Sequence, residues 1–280
     1  MLLGTHIDLT KGPDAAIAAA QRLGCSAIQL FSGDPKAFRL PPIDASALSA
    51  FASAREAAGI VATVIHTPYL INLASDNPRV VGNSKRLLKH DLAVAAAGRI
   101  RYVNTHLGSY GERDRAEGFA SVVTALSACL EDIAPDVLLI LENSAGAGNL
   151  CGGQVEELGA LLRALDHPQV GICLDTAHAW AAGYQIDRQT GVDILMEELD
   201  REVSLDRVKM FHLNDTQVPL GGRRDRHWHI GQGLIGLAGF RALLAHAGVQ
   251  GKPAILETPG DDADDLRNMT TVRTLLAEVA

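Results

Sequence analysis

The stretch VKMFHLNDTQVPLGGRRDRHWHIGQG, residues 208–233, reads as a short strand running into a long polar loop. Val208-Lys-Met-Phe is apolar and too short for a helix, as expected of a buried strand in a parallel sheet. It ends in His212. The loop beyond it sets Asp225, His227 and His229 close together among Arg223, Arg224 and Arg226. Imidazoles and a carboxylate at this density suit a borderline divalent ion such as zinc. Planar guanidinium groups suit phosphate, whose oxygens they grip in pairs. Metal ligands interleaved with arginine therefore point to a site where metal meets a phosphate ester. For any one of these residues alone a polar surface loop is the simpler reading, so the rest of the chain has to decide.

The same unit recurs along the chain. Apolar runs at residues 2–7, 27–31, 61–65, 102–105, 137–141, 170–174 and 254–256 join the run at 208–211 to make eight candidate strands. Between them, segments such as 14–23, 44–58, 77–97, 116–132 and 154–165 carry the apolar spacing of surface helices. Asp14 after Pro13 and Asp44 after Pro41-Pro42 mark helix starts, and Gly24, Gly59 and Gly98 stand where helices would end. Strands alternating with helices over this length predict a (β/α)8 TIM barrel, with a doubly wound open sheet as the alternative. No Pro/Ser-rich linker or charge block divides residues 1–280, so one domain is expected. The loops 107–115 and 214–233 read as longer than the rest and hence functional.

The residues that close the runs carry the signal. The third closes on His66, the fourth on His106, the fifth on Glu142, the sixth on Asp175, the seventh on His212 and the eighth on Glu257. In a barrel the strand ends converge on one face, so ligands scattered in sequence gather in space. His178 follows Asp175 by one helical turn, and Asp225 and His227 can point the same way from an extended loop. These nine ligands exceed the three or four protein groups that one zinc ion takes; with one of them bridging, they fit three ions. His229 competes with His227 on spacing alone.

Composition narrows the class. Of 280 residues 47% are hydrophobic but only 4% aromatic, which suits aliphatic helices packed on parallel strands. The four cysteines are widely spaced and signal neither a disulfide framework nor a thiolate zinc site. A cytoplasmic protein without a membrane span is expected, since MLLGTHIDLTKG lacks the features of a signal peptide and no long apolar run follows. The net charge of -8 argues against nonspecific nucleic-acid binding, but bound divalent cations would offset much of it at the floor of one cleft.

With these residues assembled, the chain resembles the endonuclease IV family of apurinic/apyrimidinic (AP) endonucleases, the deoxyribonucleases IV of base-excision repair. The likeness runs from GTHID at Gly4 to LETPG ending at Gly260. HTPYLINLAS from His66, LENSAGAGN from Leu141, LDTAHAWAAGY from Leu174, HLNDTQVPLGGRRDRH from His212 and LET at Leu256 carry it. The resemblance implies one zinc on His66, His106 and Glu142, a second on Glu142, Asp175, His212 and Glu257, and a third on His178, Asp225 and His227, with manganese an option at one position. Its DRH motif favours His227 over His229. It further implies hydrolysis of the phosphodiester 5′ to an abasic site in duplex DNA, leaving a 3′-hydroxyl and a 5′-deoxyribose phosphate, and removal of 3′-blocking groups. The enzyme would act as a monomer without an obligatory protein partner. Glu142 or Glu257 would orient the attacking water, Tyr69 and Leu70 would fill the gap left when the abasic nucleotide turns out, and Arg223, Arg224 and Arg226 would contact phosphates. Thr67 stands where the family commonly has an acidic residue, Leu107 where it has proline, and SGDPKAFRL matches its DNA-contacting loop only loosely.

Two rivals belong beside this reading. A sugar isomerase or epimerase on a related barrel would use one ion on Glu142, Asp175, His212 and Glu257, leaving His66, His106, His178, Asp225 and His227 without a purpose. A metal- or nucleic-acid-binding protein without turnover is the other. His6 is expected near the site, His90, His167 and His246 toward solvent, and Trp180 and Trp228 either at the pocket or in the core.

Overall fold

The computed structural model describes residues 1–279. Eight strands, β1 (Leu2–His6), β2 (Ala27–Phe31), β3 (Ala62–His66), β4 (Tyr102–Thr105), β5 (Leu138–Glu142), β6 (Val170–Asp175), β7 (Val208–His212) and β8 (Pro253–Leu256), close in chain order into a barrel. Each neighbouring pair is parallel, and β1 pairs with β8 to shut the ring. Outside run α1 (Pro13–Leu23), α2 (Ala45–Ala57), α3 (Pro78–Ala97), α4 (Arg115–Leu130), α5 (Val155–Leu165), α6 (Thr176–Ala182), α7 (Gln189–Val203), α8 (Gly236–Ala245) and α9 (Asp262–Val279). The expected TIM barrel is thus the fold, and the open sheet is excluded.

Two apolar layers hold it. The larger fills the space between barrel and helices; the smaller plugs the lumen with Ala27, Val64, Ile140, Cys173, Met210 and Ile255 among others. Side chains in a strand alternate faces, so the residue two places on from each plug residue also faces the lumen. Those residues are Gln29, His66, Glu142, Asp175, His212 and Glu257. The apolar plug therefore forms the floor on which a polar layer stands. On β1 the same face carries Gly4, where a Cβ would fall inside the backbone carbonyl of Ala27; the barrel closes that tightly.

Several boundaries differ from the sequence reading. His66, Glu142, Asp175 and His212 are the last residues of their strands rather than the first beyond them, while Val61 lies outside β3 and is exposed. Asp44 caps α2 as expected, its carboxylate accepting from Ser46 N and Ala47 N at 3.0 Å each. Helix α1 starts at Pro13, with Asp14 in its first turn. Gly24 ends α1 in the left-handed region, but after α3 it is Arg99, not Gly98, that takes the positive φ. The loop 107–115 is not longer than its fellows: residues 32–44 after β2 and 143–154 after β5 span more chain. The loop after β7 is the long one.

Candidate metal centre

The C-terminal strand ends bring all nine expected ligands to one face. Glu142, fully buried, stands at the centre. Its Oε2 lies 3.3 Å from His66 Nε2 and 3.7 Å from His106 Nε2. Its Oε1 lies 3.1 Å from His212 Nδ1 and 3.4 Å from His178 Nδ1. His212 Nδ1 also faces Glu257 Oε2 at 3.2 Å and Asp175 Oδ2 at 3.9 Å. Asp225 Oδ1, on the loop after β7, reaches His178 Nε2 at 3.3 Å and His227 Nε2 at 3.4 Å. Ligand atoms close enough to share an ion form three groups: His66, His106 and Glu142; Glu142, Asp175, His212 and Glu257; and Asp175, His178 and His227. The third differs from expectation in holding Asp175 in place of Asp225: Asp175 Oδ2 is 3.6 Å from His227 Nε2, while Asp225 reaches only His178 and His227.

Hydrogen bonds orient the imidazoles. Nδ1 of His66 donates to Thr67 O at 2.7 Å, that of His178 to Asn143 O at 3.0 Å and that of His227 to Glu257 O at 3.2 Å. A carbonyl only accepts, so Nδ1 is the donor in each ring and Nε2 is turned inward toward the carboxylates. His212 is held the other way round: its Nε2 donates to Gln29 Oε1 at 2.9 Å, leaving Nδ1 for the centre. The inward Nε2 atoms of His178 and His227 are buried without a hydrogen-bond partner. Buried nitrogens aimed at carboxylates with nothing to bond are what a cation site requires, so the donor set fits a divalent metal.

Electrostatics agree. Burial pushes the carboxyls of Glu142 and Glu257 up, but the surrounding imidazoles, led by His106 and His212 for Glu142 and by His212 for Glu257, outweigh it and hold both well below the usual range. Burial lowers His178, yet Asp175, Asp225 and Glu142 carry it well above its ordinary value. Negative charge is concentrated here and calls for positive charge, which bound metal would supply.

A further layer of amides positions the carboxylates, and the sequence reading missed it. Gln29 Nε2 donates to Glu257 Oε1 at 2.6 Å, Asn104 Nδ2 to Glu142 Oε2 at 2.5 Å and Asn214 Nδ2 to Asp175 Oδ2 at 2.7 Å. Asn143 Oδ1 accepts from Asp175 N at 2.6 Å. Gln29 and Asn104 were detectable, because each lies two places beyond a lumen residue and so faces the site.

The remaining expectations divide. A cavity of about 530 Å³ opens over the centre, lined by Tyr69, Arg226 and Glu257 among others, and a smaller one of about 220 Å³ adjoins it beside His106. Tyr69 is 62% exposed at the rim and edge-on to Phe31, the two rings 5.4 Å apart. Leu70 beside it is partly buried and packs against the core. Arg223 and Arg224 are exposed on the loop; Arg226 lines the larger cavity. His229 turns away to Asn268 at 3.2 Å, so of the pair it is His227 that faces the centre. His6 lies in the cavity wall 3.3 Å from Gln29, and burial lowers its pKa to about 4. His90 is not solvent-facing: its Nε2 donates to Pro41 O at 2.8 Å. His167 and His246 are half-buried and accept from the backbone amides of Gln169 and Gly248. Trp180 is a core residue whose indole donates to Val218 O, and Trp228 is half-buried on the loop.

A closed parallel barrel with clustered histidine and carboxylate ligands at its C-terminal face defines a metal-dependent enzyme of the xylose isomerase-like kind. The sequence model described as "Xylose isomerase-like TIM barrel" matches residues 17–277. A protein of Methanoculleus marisnigri named "Probable endonuclease 4" is 38% identical over 278 residues, 98% of this chain and 99% of its own. Its namesake from Natranaerobius thermophilus is 40% identical over 269 residues, 95% of each chain. The crystal structure of endonuclease IV from Thermus thermophilus superposes with a TM-score of 0.88 at 33% identity, covering 99% of this chain and 100% of that one. A D-tagatose 3-epimerase-like protein shares the fold at a TM-score of 0.76 and 20% identity, covering 100% and 98%. The chain belongs to the endonuclease 4 family, and is a metal-dependent nuclease. Among the described residues no helix is long and apolar enough to cross a membrane.

Proposed function

We propose that this chain, as one catalytic domain, is a three-zinc AP endonuclease of base-excision repair that cuts duplex DNA 5′ to an abasic site, leaving a 3′-hydroxyl and a 5′-deoxyribose phosphate. One observation carries the reading. Beyond the four residues a single-ion sugar isomerase needs, His66, His106 and His178 lie within 3.7 Å of Glu142, His227 lies 3.6 Å from Asp175, and Asp225 joins His178 and His227. His66, His106 and Glu142 would hold one ion, Glu142, Asp175, His212 and Glu257 a second, and His178, Asp225 and His227 the third, with Asp175 close by. Bound there, divalent ions make water nucleophilic near neutral pH and offset charge on the phosphoryl oxygens and the departing 3′-oxygen.

The chain's own groups have distinct parts. Both oxygens of Glu142 are engaged by Asn104 and the imidazoles, so Glu142 holds rather than moves protons. Glu257 has one oxygen fixed by Gln29 and lines the cavity, so it is placed to orient the attacking water. Arg226 faces the phosphate next to the scissile one, and Tyr69 fills the gap in the duplex once the abasic nucleotide has turned out, a movement made easier by its missing base. Arg223 and Arg224 add contacts along the backbone. The same arrangement removes 3′-blocking groups, since these too are phosphate esters at the sugar's 3′-oxygen. The enzyme works as a cytoplasmic monomer without an obligatory protein partner, and one zinc position accepts manganese.

Incision of a duplex carrying one abasic-site analogue, with metal counted in the same preparation, tests this. Cutting 5′ to the site that a chelator abolishes, with about three ions per chain, is expected. One ion and no cutting would assign the chain to the sugar isomerases.

A further inference from the structure

The loop that carries Asp225, Arg226 and His227 leaves β7 at residue 213 and returns at α8, and its ends meet on a single buried carboxylate. Asp215 is fully buried. Its Oδ1 accepts from Thr216 N at 2.8 Å and Ile235 N at 3.0 Å, and its Oδ2 from Gly231 N at 2.9 Å, Gly233 N at 3.0 Å and Gly236 N at 3.2 Å. Four of these five donors belong to the returning segment GQGLIG, residues 231–236. Gly231 and Gly236 take positive φ, and at Gly233 a Cβ would fall inside the Asp215 carboxylate. Successive N–H groups curled round an anion make the concave nest that elsewhere binds phosphate. Here the anion is the chain's own.

The grip extends to the ligand. Trp228 N donates to Asp215 O at 2.7 Å, and Thr216 Oγ1 donates to Arg226 O at 2.6 Å. His227 is thus pinned on both sides by the residues that begin the loop. Asp215 touches no ligand atom of the centre; it acts through the backbone.

We infer that Asp215 is a positioning residue for the His178, Asp225 and His227 group, holding the loop closed so that Asp225 and His227 arrive opposite His178. The inference rests on the metal reading of that group. Asp215→Asn keeps the shape but turns an amide N–H₂ toward backbone donors, and Gly233→Ala breaks the same contact from the other side. Three measurements on the full-length protein decide: zinc per chain and its affinity, amide hydrogen exchange at residues 231–236, and incision with and without excess zinc.

Both variants are expected to hold the barrel's circular dichroism, to exchange those amides faster, and to bind the last zinc about 10–100-fold more weakly, as loss of an outer orienting group does. Excess zinc should restore incision in Asp215→Asn but not in His227→Ala, where the ligand itself is missing. Wild-type zinc affinity and exchange in a folded Asp215→Asn would overturn the inference. So would collapse of the barrel in both variants, since the carboxylate would then serve the whole fold. A wild type that binds no metal would overturn the reading of the site, and the exchange measurement would still decide whether Asp215 holds the loop.

Discussion

His227 shows how much a single side chain does here. Its Nε2 is buried, unpartnered and 3.4 Å from Asp225. His227→Ala should lose one metal equivalent while the groups around Glu142 keep theirs, and incision should fall by about a hundredfold or more, the loss expected when one electrostatic partner of a developing charge is removed. Metal analysis beside a cleavage assay checks both. Asp265, on α9 at the cavity edge, offers a prediction in pH. Burial, reinforced by Asp262, Asp264 and Asp261, raises its carboxyl from the ordinary range to about 6. The folded chain therefore binds that proton more tightly than the unfolded one, so its contribution to stability is present below about pH 4 and lost as pH rises through about 6. Asp265→Asn should be more stable than the wild type above pH 6 in urea melts, the gap closing toward pH 4. Six of the nine candidate ligands were legible in the sequence because each closes an apolar run, and His178, Asp225 and His227 because they cluster with such residues in the segments that follow. Gln29 and Asn104 carry no ligand signature as amides, and only the alternation of strand faces makes them legible. His90, expected toward solvent, is instead covered by Pro41, because a helix position says little about which neighbour will cover it.

Elements were easier to read than their ends. All eight strands follow from short aliphatic runs, yet four of them extend by one residue to include the ligand itself. A polar residue at a strand end looks like a terminator in sequence, while in the barrel its backbone still pairs with the neighbouring strand, as His66 does with Phe31 and Asp175 with His212. β1 carries a stricter demand. Because a Cβ at Gly4 would overlap the Ala27 carbonyl, Gly4→Ala must push β1 from β2, and we expect a loss on the order of 3 kcal/mol, measured by denaturant unfolding. The loop after β3 is predicted to act through its tip. Tyr69→Ala should weaken binding of an abasic duplex about tenfold, as loss of one aromatic contact to a nucleotide does, and leave the metal content unchanged. Equal affinity in a binding titration would remove Tyr69 from the interface.

For the molecule as a whole, the centre ties the barrel together as well as serving chemistry. Its ligands come from β3, β5, β6 and β7, from the residues just beyond β4 and β8, from α6 and from the loop after β7. Chelation should abolish incision and lower the melting temperature by about 20 °C, since each of three proposed ions bound well above its dissociation constant adds about 3 kcal/mol and each kcal/mol shifts melting by about 2 °C; calorimetry with and without chelator checks this. The overall acidity, read from sequence as a mark against DNA, becomes intelligible once part of that negative charge is seen to converge on one cleft. Glu142 has a consequence of its own. A carboxylate within 3.7 Å of four imidazoles belongs to no single compartment, so a cation held in one compartment would alter the affinity of the next, and by reciprocity each would change the other's binding by the same factor. Loading of the two groups would then be coupled through this one side chain, and its truncation should disturb both groups rather than one.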